Sequence, residues 1–449
     1  MVRVTRICKR TVISTKPVQP GKFHRFSVLD RTMERNHLKA VYYYATPPGK
    51  YATGELIRAW RESLSAVLTW YPVVTGRLVR DENGHWMVKC NDAGLRTVEA
   101  TATGSLEDCL AHLDRGKEIA NFIHWEDMFY KPYYWSTFYI QITEFEEGGV
   151  AIGLSCTHLL ADPTTTAMFM KAWADTTLTG KMASPPFFHP LPPRRPGNRK
   201  MGREPYTHLI SHYESSRNLS PLTTSGEDIA TVSLLFTDAM VRAVMESARG
   251  DHDEGVGFSP FEGLSGLFWA CISRIRGLKD ELMSMAISVD ARKVLGLDKG
   301  YFGNCVVYNK VVSSEEGAAP HQAAKAISRA VAEMDSEGIM DLVEWLEQKD
   351  GQYHPSLDGT ELVCADLEGL EESKRAVFDQ DAGGGGPVRV SYYLEPFFGE
   401  GHVLIMPSTS GGDGAMSRVV MVTLPRDEVT RVCEDELVRS FCPTVVMRS

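Results

Sequence analysis

Six prolines fall within residues 184–197, and this cluster constrains the fold more than any other feature of the sequence. Proline has no backbone N–H and disfavours helix at the residue before it, so neither a helix nor a central strand can continue through the cluster. We therefore predict an N-terminal domain at 1–183, a proline-rich crossover at 184–225 and a C-terminal domain at 226–449. A chain of 449 residues gives each domain enough sequence for a core of its own.

The composition excludes several classes of protein. The formal net charge of −10 lacks the basic footprint that nucleic-acid binding requires. No apolar run approaches the ~18 residues of a membrane-spanning helix, so we expect no transmembrane segment. The basic N-terminus has no continuous apolar region, so we interpret it as a first β-strand and not as a secretion signal. The nine cysteines form no CxxC pair, which is typical of a cytoplasmic protein without a disulfide framework or zinc ribbon.

Helical and extended patterns are interspersed along both halves. Strand alternation at 138–144 and an apolar run at 150–158, separated by Gly148 and Gly149, predict a β-hairpin. Apolar residues at helical spacing predict amphipathic helices, which lie at 53–70, 163–178, 260–276 and 333–350. These patterns together indicate a mixed α/β architecture of packed layers.

The most informative short motif consists of His158 and Asp162, four residues apart. It follows an apolar strand and precedes a helix whose first residue is Pro163, so Asp162 suits the helix N-cap. A histidine at an exposed strand end can act as a general base near neutral pH. The spacing alone is unspecific, because His354 and Asp358 repeat it in a polar stretch. The alternative is a structural histidine followed by a simple helix cap.

Three other patterns have competing interpretations. Cys156 and His158 face the same side of a strand and could form a nucleophilic pair, but next-but-one residues rarely reach each other at the required angle. His208 and His212 would share one helix face, either as metal ligands or, with no third ligand evident, as part of a solvated surface. The helix at 333–350 is a surface helix or a partner-docking face. The glycines at 383–386 indicate a flexible loop, and no phosphate-binding fingerprint precedes a helix.

Eight short motifs follow one another in order along nearly the whole chain. They lie at residues 27–30, 68–72, 76–78, 90–94, 158–162, 261–269, 290–292 and 300–304. In this order they resemble the plant BAHD acyltransferase family, whose members transfer acyl groups from CoA thioesters to alcohols or amines. An ordered series of motifs is far more specific than any one of them.

The resemblance implies a two-domain fold like that of chloramphenicol acetyltransferase, with a solvent channel between the domains. It also implies that acyl-CoA is a co-substrate or ligand, that no cofactor or metal is bound, and that the protein is a monomer. His158 would deprotonate the acceptor, which then attacks the thioester carbonyl. Asp162 would pair with Arg292 and hold the loop, a role suited to a bidentate ion pair.

The chain departs from the family in its second signature, which is Asp-Phe-Gly-Trp-Gly in other members. Here residues 397–401 keep the glycines Gly399 and Gly401, but Phe397 replaces the acid and Glu400 replaces the tryptophan. An ionised glutamate near the reacting carbonyl would repel a developing oxyanion. Pro163 also stands where the family usually has glycine.

This degenerate second motif resembles that of the eceriferum and Glossy group of wax proteins. The group promotes elongation of very-long-chain fatty acids for plant cuticular wax, with a condensing enzyme of the elongase at the endoplasmic reticulum. The resemblance implies that role for this chain, with a cytoplasmic or peripheral location through the partner. The alternative is an active O-acyltransferase that moves a long-chain or hydroxycinnamoyl group. The intact His158, Asp162 and Arg292 favour catalysis, whereas the altered second motif favours the accessory role.

Overall fold

The computed structural model describes most of the chain. The described residues are 2–19, 21–47, 49–52, 54–126, 136–194, 207–214, 229–249, 257–278, 280–312, 318–349, 353, 355, 362–379, 385–395, 401–409 and 414–448. The chain divides into two compact units. Unit 1 comprises Met1–Leu191, Asp298–Asn304 and Gly369–Pro396, and unit 2 comprises Pro192–Leu297, Cys305–Glu368 and Phe397–Ser449.

Helices and strands alternate along the described residues, which confirms the predicted mixed α/β architecture. The strands are β1 (Val4–Val12), β2 (Phe23–Arg25), β3 (His37–Tyr44), β4 (Arg77–Arg80), β5 (Trp86–Lys89), β6 (Leu95–Ala102), β7 (Phe138–Phe145), β8 (Val150–Thr157), β9 (Ile229–Phe236), β10 (Met285–Asp290), β11 (Val306–Val311), β12 (Leu362–Asp366), β13 (Arg389–Glu395), β14 (Gly401–Pro407), β15 (Arg418–Pro425) and β16 (Thr444–Arg448). The helices are α1 (Val28–Thr32), α2 (Glu55–Leu68), α3 (Pro72–Thr75), α4 (Leu106–Ala111), α5 (Arg115–Phe122), α6 (Pro163–Thr179), α7 (Thr207–Glu214), α8 (Asp238–Arg249), α9 (Pro260–Ile275), α10 (Pro320–Glu333), α11 (Ser336–Gln348), α12 (Glu371–Lys374), α13 (Arg426–Glu434) and α14 (Glu436–Arg439).

Unit 1 contains a sheet with the strand order β1-β6-β7-β8-β3-β13 and a smaller sheet with the order β2-β5-β4. The predicted hairpin is confirmed, since β7 and β8 pair antiparallel with Phe138 opposite Cys156. Both strands are buried along almost their whole length, on both faces of the sheet. The alternation in β7 therefore does not mark a solvent face, because polar residues such as Gln141 are covered by the helix layer.

The helices of unit 1 follow the predicted apolar spacing. In α2 the buried residues are Leu56, Ile57, Trp60, Leu64, Val67 and Leu68, the set that the pattern predicts. The indole N–H of Trp173 in α6 donates to the backbone oxygen of Trp60 at 3.0 Å, so α2 and α6 pack with their largest side chains in contact. Burial of two tryptophans contributes several kcal/mol to this interface.

The division of the chain into units differs from the sequence-based domain boundaries of 183 and 226. Two later segments, Asp298–Asn304 and Gly369–Pro396, belong to unit 1. The second segment contributes β13, which pairs antiparallel with β3 as an additional strand of the first sheet. An apolar strand pattern does not show which sheet the strand completes, so the sequence could not reveal this excursion.

Charged side chains fix β13 to β3. Glu395 lies opposite His37 and accepts hydrogen bonds from Lys39 and, at 2.7 Å, from Arg115. Burial raises the pKa of Glu395, but His37, Lys39 and Arg115 outweigh that effect and lower the pKa to about 2. A carboxylate held this way stabilises the fold only while it is ionised.

We expect Glu395→Gln to lower the free energy of unfolding by about 3 kcal/mol near neutral pH. The lowered pKa means that this contribution is present above the ordinary value of 4.5 and is lost as the pH falls toward about 2. Urea denaturation should therefore show the wild type losing stability over this range, while Glu395→Gln changes much less. The exposed Glu82→Gln serves as the control, and an equal loss in both variants would contradict the prediction.

Unit 2 contains a sheet with the strand order β11-β10-β12-β14-β15-β9-β16. Its central helix is α9, in which every residue from Phe261 to Ser273 is buried. The predicted amphipathic character of this helix is therefore wrong, because neighbouring helices and strands cover it on all sides. Gly266 allows this packing, since a Cβ atom there would lie 2.8 Å from the backbone nitrogen of Ala324 in α10.

The described part of the predicted crossover is more ordered than its prolines suggest. Arg194 donates to Glu337, Asp341 and Glu344 of α11 at 2.5–2.8 Å, which fastens the proline-rich segment to that helix. The helix α7 also lies within the predicted crossover range. The amphipathic pattern predicted for 333–350 is confirmed by α11, whose buried residues include Ile339, Leu342 and Leu346.

Candidate active site

His158 directly follows β8, where its backbone N–H donates to the oxygen of Asn36 at 2.9 Å. The sequence predicted an exposed strand end, and this prediction is wrong because His158 is only 1% exposed. The residues after it are buried as well, from Leu159 to Asp162, so the turn lies inside unit 1. The imidazole is therefore shielded from water. The hydrogen bond to Asn36 fixes the backbone at the residue that carries it.

Burial has a direct consequence for the charge of His158. Removal from water lowers the pKa of the imidazole below its ordinary value of 6.5. The negative charge of Asp162 is the largest opposing influence, and Asp30 adds a smaller one. Nδ1 makes no hydrogen bond of ordinary geometry to the described residues, although the residue's own backbone also raises the pKa slightly. The ring is therefore neutral at neutral pH and able to accept a proton.

Asp162 is fully buried and forms the N-cap of α6. Its Oδ1 accepts a hydrogen bond from the backbone N–H of Thr165 at 2.8 Å, and Pro163 begins the helix as predicted. The cap and the electrostatic effect on His158 coexist, so the helix-cap interpretation does not exclude a role in the site. The cap fixes the direction in which α6 leaves the strand end.

Asn304 connects His158 to a second acidic residue. Its Nδ2 donates to the backbone oxygen of His158 at 2.6 Å and to Oδ1 of Asp30 at 2.9 Å. Its backbone N–H donates to the same Asp30 oxygen at 2.7 Å. Asn304 thus holds the His158 carbonyl on one side and a buried carboxylate on the other.

Asp30 belongs to a capping box at the start of α1. Its Oδ2 accepts from the N–H of Ser27 at 2.7 Å, and the Ser27 hydroxyl accepts from the Asp30 N–H. Burial raises the pKa of Asp30, while the hydrogen bonds from Asn304 and Ser27 oppose that rise. No sequence pattern predicted that Asp30 and Asn304 meet beside His158. The Ser-x-x-Asp spacing of a capping box was the visible signal at Asp30.

Residues 300–304 are also fastened to α6. The hydroxyl of Thr165 donates to the backbone oxygen of Gly303 at 2.9 Å. Gly303 has φ of 158°, at the edge of the region that favours glycine. The first turn of the helix that Asp162 caps is therefore joined to the loop that carries Asn304.

Arg292 follows β10 in unit 2. Its Nη1 donates to Oδ2 of Asp290 at 2.8 Å, and its backbone N–H donates to Oδ1 of the same residue at 2.9 Å. The pairing of Arg292 with Asp162 stays a prediction, as does the interdomain channel.

Most of the second motif lies outside the described residues, namely Phe397, Gly399 and Glu400. Gly401 is described and begins β14, where a Cβ atom would lie 2.3 Å from Cδ2 of Leu424. A larger residue here would have to displace the ends of the Leu424 and Leu362 side chains, so the packing of β14 favours glycine at this position. His354, Asp358 and the glycines Gly383 and Gly384 also lie outside the described residues.

The other candidate chemistries are not supported. Cys156 is completely buried, and burial raises the pKa of its thiol well above 9.0, so a thiolate nucleophile is disfavoured. His208 is exposed on α7, but His212 is buried, so the expected solvated face holds only for His208. Within the described ranges, no group of three or more His, Cys, Asp or Glu residues could hold a metal ion. No described helix is long and apolar enough to cross a bilayer.

Comparison with known proteins gives a match over nearly the whole chain. The model of the family described as the Transferase family matches residues 2–437. The protein ECERIFERUM 26-like of Arabidopsis thaliana is 27% identical over 436 residues, which cover 94% of this chain and 92% of that protein. A hydroxycinnamoyltransferase of Narcissus pseudonarcissus is 26% identical over 431 residues, covering 90% and 93%. The near-equal identities do not distinguish these two kinds of relative.

Solved structures share this fold over nearly the whole chain. Vinorine synthase superimposes with a TM-score of 0.69 at 17% identity, covering 96% of each chain. TRI101 of F. graminearum, solved in complex with coenzyme A and T-2 mycotoxin, superimposes with a TM-score of 0.73 at 13% identity, covering 95% of this chain and all of that one. The predicted fold class, two sheet-rich domains of the acyltransferase type, is thereby confirmed.

Proposed function

This chain belongs to the transferase family that comprises the BAHD acyltransferases, and from that premise we propose that it uses acyl-CoA at His158. The reaction that the site geometry supports best is transfer of the acyl group to a hydroxyl group. The observation that carries this proposal is a buried imidazole whose lowered pKa keeps it neutral beside two carboxylates.

The proposed mechanism is general-base catalysis. His158 takes the proton of the acceptor hydroxyl as its oxygen attacks the thioester carbonyl, and a tetrahedral oxyanion forms. The oxyanion then collapses, the C–S bond breaks, and the CoA thiolate recovers the proton from the imidazolium. Asp162 stabilises the imidazolium by its charge, while Asn304 and the capped α6 hold the backbone around it. Arg292 is proposed to steady Asp162.

Release of CoA from long-chain and hydroxycinnamoyl-CoA donors, measured with a panel of alcohols, tests this proposal. We expect acceptor-dependent release that reaches a plateau above the lowered pKa of His158 and falls at more acidic pH. Absence of acceptor-dependent release with every pair of substrates would count against catalysis.

Asp162→Asn separates the charge of this residue from its role as a cap. Asparagine is also a good N-cap, so we expect the free energy of unfolding to change by less than about 1 kcal/mol. The loss of the negative charge removes the largest influence that raises the pKa of His158. The acidic midpoint of the pH–rate profile should therefore move to lower pH. An unchanged midpoint would show that Asp162 does not act on His158 through its charge.

Cys156→Ala tests the competing nucleophile. Because the thiol is buried and protonated, we expect the rate of CoA release to stay within about twofold of the wild type. The small cavity should lower the free energy of unfolding by about 1 kcal/mol. Complete loss of release in a folded Cys156→Ala protein would support a covalent acyl-cysteine mechanism instead.

A second candidate function is promotion of very-long-chain fatty acid elongation with an elongase condensing enzyme. The similarity to ECERIFERUM 26-like protein and the altered residues at 397–401 favour it. In this role the protein binds the acyl-CoA or the condensing enzyme and is peripheral at the endoplasmic reticulum through that partner.

Yeast that expresses a plant condensing enzyme distinguishes the two candidates. Fatty-acid chain lengths are compared without this protein, with the wild type and with His158→Ala. Lengthening by the wild type and by His158→Ala alike supports action by binding. Lengthening that His158→Ala abolishes, with the protein still folded, supports use of the site.

A further inference from the structure

Three large apolar side chains of unit 1 are exposed on segments that hydrogen bonds join to one another. Ile13, Phe23 and Trp70 have 55%, 50% and 55% of their surface exposed. An exposed tryptophan and phenylalanine are costly in water unless they meet another apolar phase. Packing within the protein does not explain why these three side chains are exposed.

Hydrogen bonds join the segments that carry these side chains. After Ile13, the backbone N–H of Thr15 donates to the oxygen of Ser65 in α2 at 3.2 Å, and the Thr15 and Thr69 hydroxyls lie 2.9 Å apart. Trp70 is the next residue after Thr69. The segment that follows β1 and carries Ile13 therefore contacts the C-terminal end of α2, which Trp70 follows.

The third apolar side chain reaches the same region through β5. The hydroxyl of Ser14 donates to Oδ2 of Asp92 at 2.7 Å, which ties the segment after β1 to the loop after β5. The backbone N–H of Cys90 in that loop donates to the oxygen of Lys22. Phe23 then pairs with Lys89 across β2 and β5, so these two side chains project from the same face of the small sheet.

Three lysines belong to the same segments: Lys16 follows Ile13 by three residues, Lys22 precedes Phe23, and Lys89 lies opposite Phe23. Lys16, Lys22 and Lys89 are exposed, and within the described ranges none forms an ion pair. The carboxylate of Asp92 accepts hydrogen bonds from Ser14 and offsets one of these three positive charges. A local excess of positive charge in a chain of net charge −10 indicates an anionic partner. We call Ile13, Phe23, Trp70, Lys16, Lys22 and Lys89 the basic aromatic patch.

We propose that the basic aromatic patch binds the surface of a membrane that contains anionic lipids. Tryptophan and phenylalanine enter the boundary between headgroups and acyl chains, and lysines are attracted by the anionic headgroups. A protein partner fits less well, because lysine is depleted in protein interfaces whereas arginine is enriched.

The test uses the full-length protein with vesicles of phosphatidylcholine, with or without phosphatidylserine, in a sedimentation assay. We expect binding to the vesicles that contain phosphatidylserine, and weakening of that binding as salt is added. A triple variant with Lys16→Gln, Lys22→Gln and Lys89→Gln should bind the vesicles about 100-fold more weakly. Each lysine near an anionic surface contributes about fivefold to the binding constant. Trp70→Ala should weaken binding about tenfold, because the indole no longer enters the bilayer.

Matched controls separate the patch from the charge of the whole protein. A control variant that combines Lys293→Gln, Lys299→Gln and Lys349→Gln makes the same change of charge at exposed positions elsewhere. A second control, Val312→Ala, removes another exposed apolar side chain. These variants should bind as the wild type does. The proposal is overturned if replacing the control lysines weakens vesicle binding equally. It is also overturned if the wild type binds vesicles with and without phosphatidylserine equally well. The proposal is also overturned if the protein, when mixed with microsomes, binds a microsomal protein and not the lipid.

Vesicle binding by the basic aromatic patch is independent of the reaction at His158, because it needs no substrate. His158→Ala should bind vesicles as the wild type does, whatever happens to acyl transfer. A patch variant that loses vesicle binding but keeps CoA release in solution separates the two properties.

Discussion

His158→Ala should lower the rate of CoA release about 10³-fold while the protein stays folded. A positioned general base contributes about 10²- to 10⁴-fold to such a reaction, so its removal is expected to cost a factor within this range. The imidazole is buried and its pKa is lowered, so most of the wild-type protein carries the reactive form at neutral pH. The rate is measured as acceptor-dependent thiol release, with circular dichroism to confirm the fold.

A matched control for this substitution is His208→Ala, which removes an exposed imidazole from α7. It should leave the rate of CoA release unchanged. The wild-type rate should also fall with acidification through a midpoint below 6.5, since protonation of His158 removes the base. If His158→Ala retains more than about a tenth of the wild-type rate, another group is the base.

Asn304→Ala should lower the free energy of unfolding by about 3 kcal/mol and also slow CoA release. The substitution removes the hydrogen bonds from Nδ2 to the His158 oxygen and to the carboxylate of Asp30. A buried carboxylate that loses a donor is especially costly, because burial already raises the pKa of Asp30. Urea denaturation measures the stability, and thiol release measures the rate.

The control for Asn304→Ala is Asn309→Ala in β11. The Nδ2 of Asn309 donates to the oxygen of Ala330 at 3.3 Å, so this variant also loses a buried amide hydrogen bond, but in unit 2. We expect it to lose stability without slowing CoA release at saturating substrate. Titration of His158 by NMR gives a second readout, since Asn304→Ala removes an interaction that raises its pKa. Equal effects of both variants on the rate would show that Asn304 is purely structural.

Local sequence signals predicted the elements of the site and their type. The apolar run at 150–158 predicted β8, and the order of Asp162 and Pro163 predicted the cap and the first residue of α6. These features depend on residues near one another in the chain, whose preferences act whatever the rest of the fold does. The family followed from eight ordered motifs, which a single sequence displays without any structure.

The surroundings of the site could not be predicted in the same way. Asn304 lies 146 residues after His158, and Asp30 lies 274 residues before Asn304. Neither spacing has a sequence signature, because the contacts depend on how a later loop folds back onto unit 1. The expectation of an exposed histidine failed for this reason, since burial depends on everything that packs over the strand end.

The sequence by itself therefore determined the kinds of secondary structure, the family and the identity of the candidate base, because local backbone preferences and motif order are properties of the chain. Only the tertiary structure decided that β13 completes the first sheet, that His158 is buried and neutral, and that Asn304 and Asp30 support it. The physical reason is that desolvation and long-range hydrogen bonds exist only once distant segments are in contact.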